Sequence, residues 1–256
     1  MGIIDDIAGD WQASLAALAW QVDLGVDQII GDAAMNRYDL VAVPAAVPTA
    51  QVAEAAAPAG GPVAAARQMA ARAGTLHELQ AAIAAYDHCE IRRGARNLVF
   101  ADGNPAARVL ILGEAPGVED DKEGRPFVGR AGQLLDRMFA AIGLSRTSPD
   151  PATALYLTHV MPWRPPQDRD PVPDEIAMMR PFVERHIALL DPQVIVVVGQ
   201  TPCHALLNTR GQRGVWTSAL GKPVLPMLPP STLLRQQALK REAWADLLAL
   251  QARLRA

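Results

Sequence analysis

Four consecutive apolar residues, Val109 to Leu112, run without polar alternation into Gly113-Glu-Ala-Pro-Gly117. A strand covered on both faces reads this way, and the glycines and proline end it in a tight turn. Such strands belong to sheets clothed by helices, where ligands bind beyond the carboxyl ends of the strands. Glu114, one residue past the strand and between two glycines, is therefore placed for chemistry. The alternative is a turn carboxylate that caps the next helix.

The 256 residues, 50% of them hydrophobic, suffice for a full α/β core with an appendage. Charge marks the division. Residues 1–89 carry 3 Lys/Arg against 10 Asp/Glu, whereas residues 90–256 carry 21 against 17. The basic excess in the second part permits a polyanionic partner but does not demand one. Two cysteines, Cys89 and Cys203, make no disulfide framework and no Cys-x-x-Cys pair, which points to a reducing compartment. No stretch has the roughly 20 apolar residues that span a bilayer, and the acidic start MGIIDDIAGDW is unlike a signal peptide. A cytoplasmic protein without membrane contact is expected.

In chain order, Trp11, Leu15, Leu18, Val22, Val26 and Ile29 form the stripe of an amphipathic helix, giving a helical arm over 1–37. Residues 38–70, rich in Ala and Pro, read as a linker. The folded domain is expected over 71–256. Thr75 and Glu78 suggest a capping box for a helix to Tyr86, and Asn97–Phe100 a short strand before the Asp-Gly and Asn-Pro turns. Phe127 sits in a Gly/Pro-bounded loop where a buried anchor and a stacking platform look alike. A helix over 131–142 follows, then a strand over 154–160 with His159 near its end. The rigid loop MPWRPPQDRDP brings Arg164 and Arg169. A helix over 174–190, a strand over 194–199, a helix over 201–207, a strand over 223–228, the loop PPSTLLR and a helix over 237–253 complete the pattern. The result is a three-layer α/β/α domain with a mostly parallel central sheet. There is no G-x-G-x-x-G and no P-loop, which argues against a nucleotide cofactor.

Four segments, GEAPG with acidic residues behind it, PFVGRAGQLLD, the strand running into WRPPQDRDP, and PPSTLLR, together resemble the uracil-DNA glycosylase superfamily. The nearest branch is the bacterial iron–sulfur (family 4) enzymes, and the likeness covers roughly Cys89 to the C-terminus. The resemblance implies a DNA glycosylase of base-excision repair, which flips a base out of DNA and hydrolyses its glycosidic bond. It matches Glu114 to the carboxylate that directs water and Phe127 to the aromatic on which the base stacks. Ala115, Pro116 and Gly117 would shape the pocket with their backbone. Ser231 and Arg235 match the segment that enters DNA, and Arg164 and Arg169 lie on a loop suited to phosphates.

Three departures accompany the matches. Of the branch's four cluster cysteines only Cys89 is kept, with Tyr86, Trp163 and Met179 at the other positions, so no iron–sulfur cluster or other metal is expected. His159 stands where the family has a uracil-reading Asn, and its ring offers one donor and one acceptor on opposite sides instead of side by side. Pro229 replaces the histidine that would bond the leaving base. His159 is thus a candidate for base reading or for the missing electrophile. A DNA-binding protein that has lost hydrolysis is the alternative, and a structural or partner-binding protein a third.

Overall fold

The computed structural model describes residues 61–209 and 211–255. The expected arm over 1–37 and the linker as far as residue 60 lie outside the described residues.

The sheet has six strands: β1 (Ala101–Gly103), β2 (Val109–Gly113), β3 (Leu155–His159), β4 (Val194–Val198), β5 (Thr217–Ala219) and β6 (Lys222–Met227). Their order is β1-β3-β2-β4-β6-β5. The inner four run parallel, and the short edge strands β1 and β5 pair antiparallel. Every residue of β2, β3 and β4 is buried, as their unalternating sequences require.

The helices are α1 (Pro62–Arg72), α2 (Leu76–Ala85), α3 (Val118–Glu123), α4 (Arg130–Ala140), α5 (Pro173–Leu190), α6 (Gln200–Leu207), α7 (Pro230–Arg235) and α8 (Lys240–Arg255). Alternate strand residues feed two separate cores. Leu110, Leu112, Ile195 and Val197 pack with Ala66, Leu79, Phe182 and Leu206 of α1, α2, α5 and α6. Val109, Ile111, Val194 and Val196 pack with Leu135 and Phe139 of α4 and with Leu247 and Leu250 of α8. This is the expected three-layer α/β/α arrangement. No helix among the described residues is long and apolar enough to cross a membrane.

Three local readings are corrected. The C-terminal end of the linker, from Pro62 onward, is helix α1: Pro62 supplies the preset first turn, and Ala66 and Ala70, small enough for close helix contact, are buried in the core. The first strand begins at Ala101, after the Asn97–Phe100 segment. That segment is instead tied down by Asp121, which accepts the Arg96 and Asn97 amides at 2.9 and 3.1 Å, and by the bond from Val99 N to Pro162 O at 2.8 Å. PPSTLLR, read as a loop, forms α7. The capping box is present in extended form: Thr75 Oγ1 accepts the Glu78 amide at 3.1 Å, and Glu78 Oε2 accepts the Gly74 amide at 2.6 Å.

The α1 packing moves the boundary of the folding unit. Tyr86 Oη donates to Pro62 O at 2.9 Å, and Arg185 Nε donates to Ala73 O at 2.8 Å, so α1 is tied to both α2 and α5. Removal of residues 1–60 is expected to leave a cooperatively melting domain. Removal of residues 1–72 strips the buried Ala66 and Ala70 and the Tyr86–Pro62 bond and should lower Tm by about 5–10 °C, read by calorimetry on both truncations.

Candidate active site

The parallel register sets the site. Gly113 at the end of β2 lies opposite His159 at the end of β3, and β4 flanks β2 on its other side. The helix α4 that follows β2 covers one face, whereas α6 that follows β4 covers the other. The ends of β2 and β4 therefore form a topological switch point, where α/β sheets open a crevice.

Glu114 enters that crevice. Its Oε1 accepts the Thr201 amide at 3.1 Å, so the carboxylate sits at the N-terminus of α6, where a negative charge is favoured. Gly199 makes this approach possible. It has φ of 107°, and a Cβ there would come within 2.5 Å of Glu114 Cδ. The cap alternative is thus partly realised, but across the sheet on α6 and not on the following helix. Glu114 remains half-buried and lines a cavity of about 410 Å³ together with Gly113, Phe127, His159, Pro229 and Ser231. That size lies within the range of roughly 300–1,000 Å³ common for small-ligand sites.

Phe127 and His159 face each other in this cavity, with ring centroids 4.4 Å apart and planes tilted by 33°. Gly113 leaves room for both: a Cβ on it would come within 2.5 Å of Phe127 Cζ and of His159 Nδ1. The His159 side chain is 3% exposed, and its Nε2 lies 3.4 Å from Oδ2 of Asp120. Neither ring nitrogen has a full hydrogen bond. An unsatisfied buried polar group commonly costs about 1–3 kcal/mol, which marks this ring as awaiting a partner.

Asp120 was not among the residues expected from sequence, because it reads as part of an acidic helix face. It is 7% exposed, and its Oδ1 accepts the Val128 amide at 2.8 Å. Burial alone would raise its pKa, but pairing with His159 and the backbone bonds at Val128 and Phe127 outweigh burial and hold it below the ordinary carboxylate range. The stability it contributes is complete above that ordinary range and is lost as pH falls through the lowered value.

The Phe127 loop has a second brace. Arg146, whose side chain is 10% exposed, donates to Pro126 O at 2.9 Å and to Phe127 O at 3.0 Å. It is itself anchored by Asp136 at 2.8 Å and Asp102 at 3.0 Å. Phe127 is held at a φ of 56°, and Gly132 lets α4 pass its carbonyl, since a Cβ at 132 would overlap that oxygen. Arg146 lies outside every recognisable segment, so only the fold reveals it.

The remaining expected residues divide. Ala115 and Gly117 line the cavity, and Pro116 is buried behind it. Ser231 lines the rim beside Leu234, which is 37% exposed. Arg235 is exposed on α7, outside the lining, while Arg130 at the start of α4 is exposed and lines the cavity, an addition to the expected basic residues. Arg164 and Arg169 are not brought to the cavity. Arg164 is bidentate to Asp168 at 2.6 and 3.0 Å, and Arg169 to Glu175 at 2.9 and 2.6 Å. These pairings lower the carboxyl pKa values of Asp168 and Glu175.

The four positions of the implied cluster do not form a ligand set. Tyr86, Cys89, Trp163 and Met179 are 0%, 1%, 3% and 1% exposed and belong to one apolar core. Tyr86 packs edge-on against Phe182 at 5.3 Å. Cys203 lies elsewhere, in α6, with its thiol donating to Gly199 O at 3.2 Å. Among the described residues no group of three or more His, Cys, Asp or Glu could hold a metal ion. An iron–sulfur cube needs thiolates that these positions do not supply.

Because Arg146 satisfies two part-buried carbonyls and two carboxylates, Arg146→Ala should cost about 2–3 kcal/mol of stability. It should also free the Phe127 loop. Chemical denaturation, with amide exchange of residues 126–129 as the local readout, checks both.

Comparison with known proteins agrees with this geometry. The family described as the uracil DNA glycosylase superfamily matches residues 100–248. A type-4 uracil-DNA glycosylase of Thermotoga maritima is 35% identical over 158 residues, 59% of this chain and 78% of the relative. One from Archaeoglobus fulgidus is 38% identical over 120 residues, 47% of this chain and 57% of the relative. A type-5 enzyme of Thermus thermophilus is 33% identical over 121 residues, 43% and 54% of the two chains. For the Archaeoglobus and Thermus relatives the match spans little more than half their length. With a mostly parallel sheet, a strand-end carboxylate and a facing aromatic in one crevice, and a family match over residues 100–248, the chain belongs to the uracil DNA glycosylase superfamily.

Proposed function

We propose that this protein is a DNA glycosylase that hydrolyses the N-glycosidic bond of a base flipped out of DNA, and that it works without an iron–sulfur cluster. The observation that carries the reading is the convergence of Glu114, Phe127 and His159 on one cavity whose rim bears Ser231, Leu234 and Arg130. The similarity to type-4 uracil-DNA glycosylases supports it.

The base leaves the stack, at a cost of a few kcal/mol, and enters the cavity against Phe127. Leu234, an exposed apolar residue at the rim, fills the gap that the base leaves, while Arg130 and Arg235 meet phosphates. As the bond between C1′ and the base nitrogen breaks, its electron pair goes to the base and positive charge grows on the sugar. Glu114 opposes that charge and orients a water whose oxygen bonds to C1′. The water proton passes to the carboxylate. Pro229 offers no hydrogen to the departing base, so stabilisation there falls to His159 and the nearby backbone. The protein acts with DNA in the cytoplasm.

A second reading, a DNA-binding protein with impaired hydrolysis, draws on Pro229 and on the bond that ties Glu114 Oε1 to Thr201 N. Labelled oligonucleotides carrying uracil, hypoxanthine, xanthine or a mismatch separate the two. Base release by wild type supports the enzyme, and binding without release on every substrate supports the alternative.

Glu114→Gln preserves volume and removes the charge. Base release should fall by about 100-fold or more, with DNA affinity at fixed salt nearly unchanged, because phosphate contacts dominate affinity. For the cluster-free reading, protein purified anaerobically should be colourless and contain no stoichiometric iron or sulfide, measured by elemental analysis.

A further inference from the structure

Asp120 touches the supports of both rings that face the cavity. Its Oδ1 accepts the Val128 amide at 2.8 Å, immediately after Phe127. Its Oδ2 lies 3.4 Å from His159 Nε2 and accepts the Gly117 amide at 3.4 Å. Among the described residues no other charged side chain is paired with the His159 ring; Phe127 stacks on it and Gly113 backs it. Nδ1 is buried and without a partner, on the side of Gly113, which lines the cavity.

We propose, resting on the glycosylase reading, that Asp120 is a positioning residue: it holds His159 with the proton on Nε2, so that Nδ1 is the acceptor met by a base carrying a lactam N–H. A carboxylate can only accept, so the ring nitrogen that faces it carries the hydrogen, and in a neutral imidazole the other nitrogen is then a lone pair. Uracil and hypoxanthine present an N–H at the corresponding ring position. Cytosine and adenine present a lone pair there and would meet Nδ1 lone pair to lone pair. An amide in this position could turn to offer either group; a ring fixed by Asp120 cannot. The same carboxylate, through Val128, ties the Phe127 platform to the reading edge. Nδ1 is covered by Gly113 and the Phe127 ring, so the base reaches it as that stack opens.

The test uses the full chain labelled with ¹⁵N-histidine, whose five histidines are resolved by the loss of one signal set in His159→Gln. At alkaline pH, two-bond ¹H–¹⁵N spectra should show wild-type His159 as the Nε2–H tautomer. In Asp120→Asn, Oδ1 keeps the Val128 amide at 2.8 Å while the amide nitrogen takes the place of Oδ2, gives up the long 3.4 Å bond from the Gly117 amide and donates to Nε2. The proton should therefore move to Nδ1. Single-turnover release of uracil or hypoxanthine should fall about 10- to 100-fold, with DNA affinity at fixed salt changing by less than about threefold.

An Nδ1–H tautomer in wild type would overturn the proposal, and so would an unchanged tautomer in a folded Asp120→Asn protein. If that variant does not fold, the wild-type tautomer still decides. A wild type that holds the Nε2–H tautomer but releases no base from any oligonucleotide would refute the glycosylase reading while supporting the Asp120–His159 arrangement.

Discussion

The parallel pairing of β2 between β3 and β4 is the constraint from which the site follows. It places Gly113 opposite His159 and puts the next residue, Glu114, against the start of α6. Two absent side chains then matter as much as any present one. A methyl group at Gly113 would collide with the Phe127 and His159 rings, and one at Gly199 with the Glu114 carboxylate. The sheet supplies the crevice, and the glycines let the Glu114, Phe127 and His159 side chains enter it.

Around this centre the polar chemistry is arranged as bracing. Asp120 and Arg146 approach the Phe127 loop from different elements and hold it in a backbone conformation that a phenylalanine does not adopt unaided. Arg164 and Arg169, by contrast, satisfy the acids of their own loop and its following helix. Their first role is to stiffen that loop. Of the exposed arginines, Arg130 lines the cavity and Arg235 lies on α7 outside its lining. In the opposite layer, Tyr86, Trp163 and Met179 fill apolar core around Cys89.

Much of this was legible in the chain itself. Unalternating runs such as Val109–Leu112 and Val194–Val198 announce strands buried on both faces, and the architecture follows from their alternation with helices. Glu114 stands out locally because it follows a strand end, whereas Phe127 and His159 stand out as candidates only by the family resemblance of their segments. What was not visible depends on contacts distant in sequence. Asp120 looks like one of a run of solvated acids until the fold buries it beside His159. Arg146 has no local signal at all, since its carbonyl partners lie 19 and 20 residues away. Helix α1 was hidden by composition: an Ala/Pro-rich stretch reads as linker unless a packing partner such as α5 is known.

The most direct measurement is a crystal structure of the protein with an oligonucleotide carrying 2′-fluoro-2′-deoxyuridine, whose glycosidic bond resists cleavage. The uracil ring should lie inside the cavity against Phe127, with its N3–H toward His159 and Glu114 facing C1′. A base that stays stacked in the DNA, or one seated where Glu114 cannot reach the sugar, would contradict it.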